Sequence, residues 1–464
     1  MITIPIDSTQ KISLYEQIYQ YIKSEITQGH LVFEEKLPST RSLAAHLSIS
    51  RNTVDMAYAQ LLSEGYIISY PKRGYFVSRV SNLSIYPSSL SSSSYEKKAP
   101  EEKLPYTYDF SPFSIDLSHF PYRIWRQLSK SSLEKSELFL MGDSRGDAPL
   151  RQAIAHYLHQ SRGVTCKEDQ IFIGAGVDYL LQLLAQYFGS TSHIALENPC
   201  YQRAYHIFLN NKVPTTPIAL DNAGMRIEDL EKTACNIAYV TPSHQYPLGI
   251  IMPIKRRMEL LAWVGKEAGR YIIEDDHDSE FRYKGKPIPS LQSIRSASNI
   301  IYIGTFSRAI APAIRVGYMV LPAGLCEDFN HRFAYLSSTV SRIDQEILTH
   351  FLNDGHFERH VNRMRKVYKT KHDFMLSLLK TSNLPITIKG EHAGMHLVVT
   401  CNNGRSEEEI KTIARKNSIQ LYGLKEHFIQ LPASYTPTLL LGYANMSEKQ
   451  IEEGIKILAA TCLS

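Results

Sequence analysis

Residues 81–107, SNLSIYPSSLSSSSYEKKAPEEKLPYT, interrupt the chain with serine, proline and charge where an apolar period would have to continue. Such a stretch cannot bury enough apolar surface to offset the entropy of ordering it, so it reads as a flexible linker. The 464-residue chain must then fold as two bodies, a small domain over 1–80 and a large one over 108–464. With 43% hydrophobic residues, the longer part can supply a large core.

In the small part, Leu14, Ile18, Ile22 and Ile26 recur every fourth residue and Gly29 follows, which predicts an amphipathic helix with a glycine stop. A second helix starts after Pro38, capped by Ser39 or Thr40, with Leu43, Ala44 and Leu47 inward. A third has Ser50 as N-cap and places Val54, Tyr58, Leu61 and Leu62 on one stripe. Two β-rich runs then flank the turn Pro71-Lys72-Arg73-Gly74 in 66-YIISYPKRGYFVS-78. Three helices and a basic hairpin make a winged helix-turn-helix. A helix entering the major groove needs small polar or cationic residues at its start, and Ser50, Arg51, Asn52 and Thr53 meet that need. Arg41 on the preceding helix and Lys72 and Arg73 in the wing extend the contact to the backbone, so double-stranded operator DNA is the expected partner. The net charge of +5 is modest for this length, which makes any basic surface a local one.

In the large part, short apolar runs such as 171-IFIGAG-176, 193-HIALENP-199, 237-IAYVTPS-243, 271-YIIEDDH-277 and 300-IIYIGTFS-307 end in small or polar residues and alternate with amphipathic segments. That rhythm predicts an α/β fold with a mainly parallel sheet and ligand groups at the carboxyl ends of the strands. The six cysteines lie far apart, without disulfide or zinc spacing, and read as reduced thiols. The N-terminus lacks a charged leader followed by an apolar run, and no uncharged apolar stretch approaches the length of a membrane span. A cytoplasmic protein with no membrane partner and no bound metal is expected.

The segment 37-LPSTRSLAAHLSISRNTVDMAYAQLLSEGYI-67 closely resembles the GntR-type winged helix, and the likeness runs over about residues 11 to 79. It implies DNA contacts by Arg41 and Arg51. Residues 108–464 resemble the fold-type I, class I aminotransferases, and the linked pair resembles the MocR/GabR group of bacterial regulators. The second likeness rests on 142-GDSRGDAPLRQAIAHYL-158, 198-NPCYQRAY-205, 241-TPSHQYPLG-249, 274-EDDHDSEFRY-283 and 304-GTFSRAIAPAIRVGY-318. It implies the fold of pyridoxal-phosphate-dependent transferases and a homodimer, head to tail, with the DNA-binding heads on opposite subunits. Asp275 then occupies the position of the carboxylate that bonds the pyridine nitrogen, and Tyr201 that of the aromatic stacked on the ring. Gly176, Val177 and Asp178 open a helix after a strand, where backbone N–H groups suit a phosphate, and Ser307 and Arg315 would reach the same phosphate.

Three positions depart from that pattern. Arg308 stands where the Schiff-base lysine is expected, and a guanidinium cannot lose its proton to form an internal aldimine. His277 stands where relatives have a tyrosine on the ring hydroxyl, and Leu440 where many hold the substrate carboxylate with arginine. Lys284 and Lys286 are alternative amines beyond Arg282. Arg308 is expected to pair with a cofactor phosphate, with an acidic effector or, in an empty pocket, with Asp275. The function implied is a DNA-binding transcriptional regulator sensing a small-molecule effector, with pyridoxal phosphate or an amino-acid adduct held non-covalently as candidates, and without transamination. A pyridoxal-phosphate-dependent aminotransferase-like enzyme with a fused DNA-binding module is the competing reading, and a ligand-free dimeriser a third.

Overall fold

The computed structural model describes residues 4–7, 12–79, 106–283, 285, 288–294, 299–391 and 393–463. The expected linker lies outside them except at its last two positions, and Lys284 and Lys286 also lie outside. The chain divides into two compact units, Met1–Lys103 and Leu104–Ser464.

In the first unit, α1 (Leu14–Thr27) buries Ile18, Ile22 and Ile26, and Gly29 follows at φ +80°. Helix α2 (Thr40–His46) is capped by Ser39, whose hydroxyl accepts from the Ser42 amide, while Thr40 is buried. Helix α3 (Arg51–Ser63) starts at Ser50, whose hydroxyl accepts from the Thr53 amide. Its inward stripe is Val54, Ala57, Tyr58 and Leu61; Leu62, expected inward, is only half-buried, because a 3.6-residue period turns Ala57 into the groove instead. These side chains share one core with the α1 isoleucines, Leu43 and Ala44. Full burial stabilises each large aliphatic by about 1.5–3 kcal/mol. Strands β1 (Ile67–Tyr70) and β2 (Gly74–Val77) pair antiparallel as the wing.

The second unit is built on eight strands: β3 (Ile171–Gly174), β4 (Ile194–Asn198), β5 (Thr215–Asp221), β6 (Gly224–Met225), β7 (Ile237–Val240), β8 (Tyr271–Asp275), β9 (Ile300–Thr305) and β10 (Gly317–Val320). Their order is β3-β10-β9-β8-β7-β4-β5-β6. Strands β10 and β6 run antiparallel to their neighbours and the rest run parallel. Apolar clusters cover both faces, which is why these strands read as unbroken apolar runs. Helix α4 (Ala148–Arg162) and helix α5 (Val177–Phe188) flank β3 in sequence, and the long α6 (His356–Thr381) leads to a smaller antiparallel sheet. In that sheet β11 (Ile386–Lys389), β12 (His396–Cys401), β13 (Tyr422–Gly423) and β14 (Thr438–Gly442) are ordered β11-β12-β14-β13. Among the described residues, no helix is long and apolar enough to cross a membrane.

Candidate functional site

The carboxyl ends of the parallel strands frame a cavity of about 210 Å³. Val177, Asp178, Tyr201, Asp275, His277, Ser307, Arg308 and Arg315 all line it. Gly176 lies directly behind, at φ +87°, and a Cβ there would come within 2.6 Å of the Arg315 guanidinium. A separate cavity of about 290 Å³ beside Tyr157 and Arg365 shares Glu280 with the first but holds none of these eight residues.

Asp275 ends β8 and accepts a hydrogen bond from the Tyr239 hydroxyl. Burial pushes its carboxyl up to about 7 against the opposing effect of that bond. Tyr201 precedes the helix Gln202–Asn210, lines the cavity and donates from its hydroxyl to Asp178 Oδ1 at 3.1 Å. Arg315 sits in the left-handed region at φ +52° and donates to the Ala175 carbonyl at 3.1 Å, with Asp178 Oδ2 3.7 Å away. Arg203 Nη1 donates to the same Asp178 oxygen at 3.2 Å. The Ser307 amide donates to Thr305 Oγ1 at 3.1 Å, and the two hydroxyls lie 3.0 Å apart.

Arg308 departs from the expected pairing. Its Nε and Nη2 donate to Asp278 Oδ1 and Oδ2 at 2.9 and 3.0 Å, and Nη1 donates to the Pro112 carbonyl at 2.9 Å. The anion is therefore supplied by the chain itself, and it is not Asp275. Asp275 is still in the strand and bonded by Tyr239, whereas the backbone turns at Asp278 (φ +53°). Burial alone would raise the Asp278 carboxyl, but the guanidinium beside it outweighs burial and holds it well below the usual range.

His277 stacks on His244 with ring centroids 6.0 Å apart, and burial pushes both imidazoles down to about 4, so both are neutral at physiological pH. His244, His277 and Asp278 bring potential ligand atoms within 4.8 Å of one another, but both Asp278 oxygens already accept from Arg308. Asp276 belongs to a separate network, accepting from Arg162 at 2.8 Å, from the Ser243 and Ser279 hydroxyls at 2.8 and 2.7 Å, and from Tyr302. Sequence reasoning missed this pair and the Asp278 pair; alternation at the strand end, which sends Asp275 and Asp276 to opposite sides, was the signal available for the first, and the turn at Asp278 left none for the second. Leu440 is fully buried in β14 with Val398 and Leu424.

On the first unit, Arg41, Ser50, Arg51, Asn52, Lys72 and Arg73 are exposed and Thr53 is half-buried. Ser50 and Thr53 share the helix cap, with their hydroxyls 3.3 Å apart. Arg51 pairs with Asp55 at 3.4 Å, and the Arg73 guanidinium lies 5.6 Å from the Tyr70 ring and 5.7 Å from the Phe76 ring.

Fold and cavity define a winged helix-turn-helix joined to a unit with the fold of pyridoxal-phosphate-dependent transferases. Residues 14–77 match the bacterial regulatory proteins of the gntR family, and residues 115–458 match aminotransferase class I and II. The HTH-type transcriptional regulator YdeL of Bacillus subtilis (strain 168) is 39% identical over 462 residues, covering 99% of each chain. MocR of Rhizobium meliloti, a regulatory protein named for rhizopine catabolism, is 30% identical over 99% of this chain and 96% of its own. The kynurenine aminotransferase of Pyrococcus horikoshii superposes with a TM-score of 0.69 at 25% identity, over 77% of this chain and 91% of that one. The chain belongs to the MocR-type HTH transcriptional regulators, a gntR-family head fused to a class I and II aminotransferase domain.

Proposed function

We propose that the protein binds operator DNA and that its large unit senses a small ring compound without transferring an amino group. The observation that carries this reading is the forked bond of Arg308 on Asp278. Arg308 stands at the position of the Schiff-base lysine; its guanidinium keeps its proton and is held in place by a carboxylate. Among the described residues, the lining of the cavity contains no lysine.

Pyridoxal phosphate, the group the fold implies, fits this cavity at one end only. Asp275 offers a carboxylate to a ring nitrogen, and Tyr201 offers an aromatic face to the ring. The end formed by Gly176, Val177, Ser307 and Arg315 has the helix N-terminus and the cation of a phosphate cradle, but Asp178 lies in it. Bound ligand is therefore held without a covalent bond, and His277, neutral and beside Tyr246, contributes a polar edge. In the small unit, Arg41 and Arg51 contact operator DNA and Lys72 and Arg73 reach the phosphate backbone through the wing. Two copies, paired head to tail in the cytoplasm, would read a repeated half-site.

Fluorescence anisotropy with DNA from the gene's own promoter neighbourhood at moderate salt tests the reading. Sequence-selective binding that a competing random duplex does not displace is expected. Absence of selectivity would sink the regulator. Steady amino-acid turnover with added pyridoxal phosphate, abolished by Asp275→Asn, would establish the enzyme instead.

A further inference from the structure

The cations around the cavity already have anions of their own. Arg308 is held by Asp278, while Arg315 and Arg203 both face Asp178. Behind them, the Asp276 carboxylate is held by Arg162. Among the described lining residues, no guanidinium remains without a carboxylate.

Asp178 is the residue that matters most. It lies in the first turn of α5, immediately after Gly176 and Val177, where the amides of a helix start and its dipole favour negative charge. Its two oxygens accept from the Tyr201 hydroxyl and from Arg203, and Arg315 completes the cluster. A carboxylate on the chain thus occupies the electrostatic position that a ligand phosphate would take. A phosphate dianion entering there would meet Asp178 at close range and find its cations already engaged, a like-charge contact that is costly in a partly dehydrated cleft. The ring end carries no such obstacle, since Asp275 can accept from a ring N–H and, among the described residues, its side chain bonds the Tyr239 hydroxyl.

Resting on the reading of the large unit as a sensor, we infer that the cavity selects a small non-phosphorylated heteroaromatic base, received at its ring nitrogen by Asp275, because Asp178 replaces the phosphate within the protein. Asp178 is a specificity-determining residue: it completes the site electrically and excludes the phosphorylated form of the same ring.

The test compares pyridoxine with pyridoxine 5′-phosphate by calorimetry on the full-length chain; both are alcohols, so neither forms imines with surface lysines. Pyridoxine is expected to bind the native protein at least about tenfold more tightly than its phosphate ester. Asp178→Asn keeps the side-chain shape and removes the charge; it should raise affinity for the ester by about tenfold or more and change that for pyridoxine less than about threefold. Thermal unfolding checks that the variant is folded, and Asp178→Ser serves if it is not. The inference fails if the ester binds the native chain as tightly as pyridoxine, if neither binds, or if folded Asp178 variants keep the native ratio. Operator binding on the same samples separates the two levels. Intact DNA selectivity with no ring selectivity removes only the ligand class, and lost DNA selectivity with ring selectivity removes only the regulator.

Discussion

Asp278 holds a largely buried guanidinium: its side chain is 0% exposed and that of Arg308 is 14% exposed. Removing one partner of a buried pair leaves the other uncompensated, so Asp278→Asn should cost about 3–5 kcal/mol in urea unfolding. Arg308→Lys should cost less, because an ammonium keeps the charge and loses the fork. An Asp278→Asn protein as stable as the native one would show that the pair contributes nothing. Asp275 gives a pH prediction. Burial raises its carboxyl to about 7, against an ordinary value near 4 in the unfolded chain. Between those values the folded chain holds a proton that the unfolded chain has released, so the contribution to stability is present at low pH and is lost as pH rises through 7. Unfolding free energies from pH 5 to 8 should fall more steeply for the native protein than for Asp275→Asn, and equal slopes would assign the titration elsewhere. At this scale the sequence was half legible. Motif order brought Asp275, Tyr201, Arg308 and Arg315 to one cavity, but the pairing of Arg308 with Asp278 depended on a left-handed turn that composition does not encode.

Helix α3 was legible to the residue at its start, because an N-cap is a local event: a hydroxyl and an amide three positions apart. Its outer face gives the DNA prediction. Arg51→Ala should cost about 1–3 kcal/mol of operator affinity and relax sequence preference, whereas Lys72→Ala should weaken all sequences alike and lower the salt slope by about one. Anisotropy titrations across salt separate the two. Identical, sequence-independent losses would place Arg51 on the backbone with Lys72. The strands of the main sheet were legible as buried runs, but β10 entering antiparallel between β3 and β9 was not. A strand covered on both faces has the same apolar pattern in either direction, so its orientation is set by its connection and neighbours.

The two units have separate cores, the first around Ile18, Val54 and Tyr58 and the second around the two sheets. Calorimetry of the full-length protein should therefore resolve two transitions. Asp278→Asn should lower only that of the large unit. Ser50→Ala, which removes a cap worth about 1 kcal/mol, should lower only that of the small one. A single transition shifted by both variants would mean that the units unfold together. By itself the sequence determined the winged head, the α/β rhythm and the neighbourhood of the cavity, because periodicity, caps and motif order are set by residues close in the chain. Only the tertiary structure decided which charges meet. Arg308 finds Asp278 across 30 residues and Arg162 finds Asp276 across 114, and buried charges pair according to which strand ends and turns the fold brings together.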